Sequence, residues 1–356
     1  LRFQTLDEWL AWQESLNPRE IDLGLERVAR VLNRLGHNNQ FTCPLVTVAG
    51  TNGKGSVVAF LDAMARAAGY STCTYTSPHL LHYNERIRID GHSVDDDTLC
   101  QAFERIDRAR GDQQLTYFEF GTLAAIDIFS SESPDLVIME IGLGGRLDAV
   151  NIMEPDVAVI TGIAIDHTDW LGDDRESIGN EKAGIMRQGC PAVCGDADPP
   201  QSVLNRAKEL DIALKLIGRH YRVETQQSTW SLIDEDRRLD ALPLPGLAGE
   251  FQLQNAATAI VALRLLQGLA PSDDEIARGL LQAELPGRFQ TLRERPHVIV
   301  DVAHNPQAAT SLAALLREHA CIGRTHAVVA MLADKPVSDV LAIVSGEVDC
   351  WYSAGL

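Results

Sequence analysis

Leu45-Val46-Thr47-Val48-Ala49-Gly50-Thr51-Asn52-Gly53-Lys54-Gly55-Ser56 passes from an apolar, β-branched stretch straight into a glycine-rich turn, and Val57, Phe60, Leu61 and Met64 follow at helical spacing. The pattern predicts a strand at Leu45–Ala49, a tight turn and a helix over Ser56–Ala68. In such a turn, glycines let backbone amides point inward at an anion and the helix start adds partial positive charge. A lysine then reaches the outer phosphates of a nucleotide, and a hydroxyl can take a divalent cation. Thr51, Asn52, Gly53, Lys54, Gly55 and Ser56 are the candidate nucleotide-binding residues, Lys54 also a candidate for catalysis. The spacing departs from G-x-x-x-x-G-K-[ST], because Val48 stands where the first glycine would. A glycine-rich turn with no ligand is the alternative reading.

Working outward, short β-branched runs at Thr72–Tyr75, Leu136–Ile141 and Val157–Ile160 alternate with helical patterns, which argues for a parallel sheet wrapped by helices. Between Asp211 and Pro245 the segments shorten around a charged turn, Asp234 to Arg238. They read as a few antiparallel strands at the edge of this domain. A helix at Gln252–Leu266 precedes Leu285-Pro286-Gly287-Arg288. The alternation then restarts with strand His297–Val302, helix Pro306–Glu318, strand His326–Met331, helix Pro336–Val344 and strand Asp349–Tyr352. The expected fold is α/β, with a P-loop-type, mostly parallel sheet domain at 1–285 and a smaller Rossmann-like domain at 286–356. A length of 356 residues suits two such cores. Three strands are few for an open α/β domain, so the second is expected to be incomplete in this chain.

The formal net charge of −19 opposes binding to a phosphate polymer, so no nucleic-acid partner is expected. It also requires that any site for anions carry its own local positive charge. No apolar run approaches the roughly 20 residues that cross a bilayer, and Leu1 to Trp12 lacks the features of a signal peptide, so no membrane partner is expected. The seven cysteines are scattered. The nearest pair, Cys190 and Cys194, has no second pair or histidine at metal-ligand spacing, which points to reduced thiols and the cytoplasm.

Glu140 ends an apolar strand where a parallel sheet presents side chains to a ligand, and Gly142-Leu143-Gly144-Gly145-Arg146-Leu147-Asp148 follows. In that run Arg146 can hold an anion and Asp148 a polar group. The next strand leads into Asp166-His167, bringing a carboxylate and an imidazole to the same edge. Glu140 and His167 are therefore candidate metal ligands, although a solvated strand end and a hydrogen-bonded structural histidine are the plain alternatives. Lys182 falls on the apolar face of a helix predicted at Glu176–Met186, between Ile178 and Ile185. Burial favours the neutral amine, which can add CO₂ to become an anionic carbamate suited to Mg²⁺. A lysine that snorkels its head to solvent is the competing reading.

Together these segments resemble the folylpolyglutamate synthase/dihydrofolate synthase branch of the Mur ligase family. The resemblance extends through Asp22-Leu23-Gly24-Leu25-Glu26-Arg27, Ser77-Pro78-His79-Leu80, Glu85-Arg86, Thr116-Tyr117-Phe118-Glu119, Glu140–Asn151, Glu181-Lys182-Ala183-Gly184, Leu285–Arg288 and Asp301–Pro306. It implies an ATP-dependent ligase that adds L-glutamate to dihydropteroate and to tetrahydrofolate through an acyl phosphate. The Gly-Gly-Arg-Leu-Asp-Ala run around Asp148 is similar to the bifunctional bacterial type. The resemblance further implies that Ser77, Glu140, His167 and a carbamylated Lys182 hold Mg²⁺ at two sites, with room for K⁺. Asn255, Arg288 and Asp301 would contact ATP. Asp22, Leu23, Gly24, Thr116, Tyr117, Phe118, Glu119, Leu147, Asp148 and Ala149 would line the pterin side. His304 is a candidate proton acceptor, and a monomer is expected. The rival readings are a monofunctional folylpolyglutamate synthase, a Mur-type ligase acting on a UDP-sugar, a P-loop small-molecule kinase and a nonenzymatic nucleotide switch.

Overall fold

The computed structural model describes residues 1–17, 21–235 and 237–355. Asp236, inside the expected charged turn, lies outside them. An eight-stranded sheet organises the larger part: β1 Leu45–Ala49, β2 Thr72–Tyr75, β3 Ile87–Ile89, β4 His92–Ser93, β5 Leu136–Glu140, β6 Val157–Ile160, β7 Ala192–Cys194 and β8 Leu214–Leu216, in spatial order β4-β3-β2-β5-β1-β6-β7-β8. The six strands from β2 to β8 are parallel, and β3 and β4 continue antiparallel at one edge. β1 is central, between β5 and β6, with Val48 opposite Glu140 and Ala49 opposite Ile160. The phosphate-type loop and Glu140 therefore leave the sheet side by side at its carboxyl edge, the place where parallel sheets bind ligands.

Period-two alternation divides the strand side chains between two cores. Leu45, Val137, Met139, Ala158 and Ile160 face one, and Val46, Val48, Ile138, Val157 and Val159 face the other. The first is covered by α1 Leu6–Leu16, α2 Glu26–Leu35, α4 Asp96–Arg110, α5 Tyr117–Glu132, the short α6 Thr168–Leu171, α7 Arg175–Ala183 and α8 Gln201–Glu209. The second is covered by α3 Lys54–Ala67, α9 Phe251–Leu265 and α10 Asp273–Gln282. The expected antiparallel strands, β9 Tyr221–Thr225, β10 Thr229–Asp234 and β11 Arg238–Pro243, form a sheet of their own. Its Trp230, Leu232, Leu239 and Leu242 join the second core, which leaves α9 enclosed and explains why its sequence is apolar nearly all round.

Two boundaries differ from expectation in ways that matter. The helix after the turn begins at Lys54 rather than Ser56, and α7 ends at Ala183, so Ile185 is buried beyond the helix rather than on it. Past residue 286 the described residues form four strands instead of three. β12 Gln290–Glu294 pairs antiparallel with β13 His297–Val300, while β14 His326–Val329 pairs parallel with β15 Cys350–Ser353. β12 is mostly exposed and polar, so it lacked the apolar alternation that announces a strand. α11 Pro306–Glu318 and α12 Val337–Val344 pack through a small core of Ala309, Val340 and Val344. Among the described residues no helix is long and apolar enough to cross a membrane.

Candidate active site

The Gly50–Ser56 loop is built by its neighbours. Thr51 donates its amide to the Gly162 carbonyl at 2.8 Å and its hydroxyl to the Ala164 carbonyl at 3.0 Å, tying the loop to the segment after β6. Gly53 takes φ 89° at the start of α3, and a Cβ there would lie 2.6 Å from Asn255 Oδ1, so only glycine fits both the turn and the neighbour. Lys54 is half-buried and donates to the Gly50 and Thr51 carbonyls at 3.1 and 3.3 Å. Asn255 donates to Gln252 Oε1 at 2.9 Å, and the fully buried Gln252 amide donates to Ser56 Oγ at 3.2 Å. Gln252 was not singled out in the sequence, where it is one polar position on an apolar helix.

Glu140 is 5% exposed and accepts the Ser77 amide at 3.3 Å. Burial pushes its carboxyl above the usual range, against the pull of Lys54, the Ser77 amide and Arg288. Arg288 is itself depressed by burial, with Asp301 and Glu140 as its opposing charges, so all three predicted residues share one electrostatic environment. Asp301 accepts the Phe289 and Ala303 amides at 2.8 Å each, bracing the turn that carries Arg288.

Lys182 is 3% exposed, and its Nζ donates to the Gly50 carbonyl at 2.9 Å across 132 residues of sequence. Burial first, and then the nearby Lys54 charge, lowers its ammonium to about 7. The snorkelling reading is excluded, because the head group ends at the phosphate-type loop. Gly145 makes this approach available: a Cβ there would come within 2.6 Å of the Glu181 carbonyl. Arg146 does not offer a free anion site, since it pairs with Glu181 at 2.8 Å.

Asp166 gathers groups from the C-terminal part. Lys335 Nζ lies 3.2 Å from one oxygen, while Asn305 and His304 approach the other at 3.4 and 3.6 Å. Burial opposes its ionisation, but His304, His167 and Lys335 outweigh that and hold the carboxyl well below the usual range. His304 donates Nδ1–H to the Val302 carbonyl at 2.9 Å, which turns Nε2 toward Asp166. Asn305, 1% exposed, caps α11 through the Ala308 amide and also donates to Asn52 Oδ1 at 3.0 Å. His167 stands exposed in a left-handed conformation, and partial desolvation lowers its imidazole from the usual range. Gln307 Oε1 accepts from Asn52 Nδ2 at 2.6 Å, and these contacts of Lys335, Asn305 and Gln307 were not expected from the sequence because nothing local announces a contact with Asn52 or Asp166.

The three segments expected on the pterin side meet. Gly24 donates its amide to the Leu147 carbonyl at 3.2 Å, and Arg27 joins Asp22 to Glu119 at 2.8 and 2.9 Å. Thr116 and Glu119 form the capping box of α5, Tyr117 is half-buried, and Phe118 lies 6.0 Å from Tyr75. Asp148 is 2% exposed and gives one oxygen to the Leu143 amide at 2.9 Å and the other to Val150 at 3.0 Å. Burial pushes it up to about 7 despite those amides. It thus shapes the loop that carries Leu147 and Ala149. Asp148→Ala is expected to lower kcat/KM for dihydropteroate and tetrahydrofolate alike, with a stability loss on the order of 2–5 kcal/mol from two orphaned amides. A loss confined to dihydropteroate, with an unchanged Tm, would show instead that the carboxylate reads the pterin.

Residues 48–263 match the Mur ligase middle domain, and 287–356 match the Mur ligase glutamate ligase domain. The dihydrofolate synthase/folylpolyglutamate synthase of Escherichia coli (strain K12) is 46% identical over 352 residues, covering 99% of this chain and 82% of that protein. The chain belongs to this branch of the Mur ligase family. Its reaction is the ATP-dependent joining of L-glutamate to a folate-type carboxylate. The structure of E. coli FolC in complex with DHPP and ADP superposes with a TM-score of 0.93 at 46% identity, covering 98% of this chain and 83% of that one. A bifunctional folylpolyglutamate synthase/dihydrofolate synthase with Mn, AMPPNP and L-glutamate bound gives 0.90 at 46% identity, with coverages of 98% and 83%. The nucleotide-type loop and the segment after its sheet meet the glutamate ligase part through the Asn52–Asn305 and Asp166–Lys335 contacts.

Proposed function

We propose that this ligase uses both dihydropteroate and tetrahydrofolate, with ATP bound between 1–285 and 286–356, and works as a cytoplasmic monomer. The observation that carries the site assignment is the buried Lys182 amine on the Gly50 carbonyl, which puts a group able to become an anion against the loop expected to hold the triphosphate. A substrate carboxylate oxygen attacks the γ-phosphorus, the β–γ bridging bond breaks, and ADP leaves. The glutamate nitrogen then adds to the acyl carbon, and the C–O bond to phosphate breaks. Lys54 and Arg288 offset the repulsion between carboxylate and triphosphate, and Asn255 and Asp301 orient the nucleotide. His304, with Nδ1 committed to Val302, offers Nε2 for the proton of the glutamate ammonium. The pterin ring lies against Phe118, between Leu23 and Leu147.

Among the described residues no three His, Cys, Asp or Glu side chains cluster as a metal site. Mg²⁺ nonetheless fits, because it takes one or two carboxylates, water and phosphate oxygens rather than a full protein cage. Glu140, buried and in no ion pair among the described residues, would hold it with Ser77, and His167 with the Lys182 carbamate would hold a second ion. K⁺ is a further candidate. When bound, Mg²⁺ neutralises triphosphate charge and aligns its oxygens. Glu140→Gln keeps the shape and removes both the charge and its burial cost. It is expected to raise the Mg²⁺ concentration for half-maximal activity by about 10-fold or more at unchanged or higher Tm. An unchanged Mg²⁺ titration would remove Glu140 from the metal site.

The deciding assay measures ADP and phosphate release with dihydropteroate, then with tetrahydrofolate, each with and without L-glutamate. Glutamate-dependent phosphate release with both substrates is expected. Release with tetrahydrofolate alone would make the enzyme monofunctional, and glutamate-independent turnover would overturn the ligase mechanism.

A further inference from the structure

Asp22, Leu23 and Gly24 belong to no helix or strand, yet under the proposed reading they form one wall of the pterin pocket. Such a wall needs an external brace to hold a flat ring at a defined distance from Phe118. Arg27, in the first turn of α2, supplies one. Its guanidinium keeps 21% side-chain exposure and spreads its donors over two segments. Nη1 reaches Asp22 Oδ2 at 2.8 Å, and Nη2 also donates to the Asp22 carbonyl. Nε and Nη2 both donate to Glu119 Oε1, at 3.1 and 2.9 Å. The other Glu119 oxygen accepts the Thr116 amide at 2.8 Å, which closes the capping box at the start of α5. The third wall is held by the Gly24 amide on the Leu147 carbonyl.

We infer that Arg27 is a positioning residue for the pterin end of the substrate, clamping the Asp22–Gly24 wall to the Thr116–Glu119 wall and so setting the width of the pocket. The inference rests on the proposed placement of the pterin against Phe118. A planar fork is needed, because it must serve a backbone carbonyl and two carboxylates at once in fixed directions. The nucleotide loop shares none of these contacts, so loss of the clamp acts on one substrate and spares the other.

Steady-state kinetics on folded Arg27→Met and on Arg27→Met/Glu119→Gln test this. The double variant avoids stranding a buried carboxylate, and its glutamine carbonyl can still accept the Thr116 amide. Both are expected to raise KM for dihydropteroate by between about 10- and 100-fold, with KM for ATP within about twofold of the parent. Phe118→Ala in the same assay separates the two levels of the argument. If Phe118→Ala raises KM for dihydropteroate and the folded double variant does not, the positioning role is overturned while the pocket stands. If Phe118→Ala leaves that KM unchanged, the pocket reading fails and the inference falls with it. A parallel rise in KM for ATP in the Arg27 variants would show a general structural role and would also overturn it.

Discussion

Lys54→Ala is expected to lower kcat by about 10³-fold or more, because on the proposed reading it deletes the cation that meets the phosphates in a site whose protein carries a net charge of −19. The side chain is already folded over the loop, on the Gly50 and Thr51 carbonyls. Its charge is felt by Glu140, Asp148 and Lys182 alike, which marks it as the electrostatic centre of the site. Loss of the two loop hydrogen bonds adds a small stability cost, about 1 kcal/mol in total, which corresponds to a Tm lower by a few degrees. Single-turnover acyl-phosphate formation at saturating ATP, together with a thermal melt, checks both halves. Near-wild-type turnover would sink the assignment.

Lys182→Ala is expected to be nearly inactive and partly rescued by formate or acetate, whereas Lys182→Arg is not rescued because its side chain fills the space and keeps a positive charge. The reaction joins the neutral Nζ to CO₂, forms an N–C bond and releases one proton. With the ammonium lowered to about 7, the carbamate fraction at fixed CO₂ should rise as pH rises through that value. Stability follows the same deprotonation. The unfolded lysine titrates near 10.5, so between that pH and about 7 the unfolded chain binds the extra proton, and the unmodified folded protein gains stability as pH rises. In CO₂-free buffer, Lys182→Met should therefore be more stable relative to the parent at pH 6 than at pH 9. Native mass spectrometry showing one added CO₂ on Lys182 supports the carbamate. An unmodified ammonium with full activity in CO₂-free buffer would leave Lys182 as a direct partner of phosphate or carboxylate.

Much of this was legible in local spacing, and the exceptions share a cause. Gly50–Ser56 could be read because a strand, a glycine turn and a helix are contiguous, so the whole signal lies in consecutive residues. The inward position of Lys182 could be read from Ile178 alone, even though the helix stops before Ile185. β12 could not, since a polar exposed strand carries no burial pattern. Arg146 looked like an open anion site because its partner, Glu181, lies 35 residues away.

The sequence by itself determined the α/β class, the glycine-rich strand-to-helix loop and the segments proposed for the site, because period, glycine placement and strand ends are properties of short stretches. Only the tertiary structure decided what those side chains do to one another. The Lys182 amine meets a carbonyl 132 residues away, Gln252 reaches Ser56 across 196, and Asn305 reaches Asn52 across 253. Burial and charge at such contacts set the protonation of Glu140, Asp148 and Lys182, and both quantities depend on which distant segments the sheet order brings together.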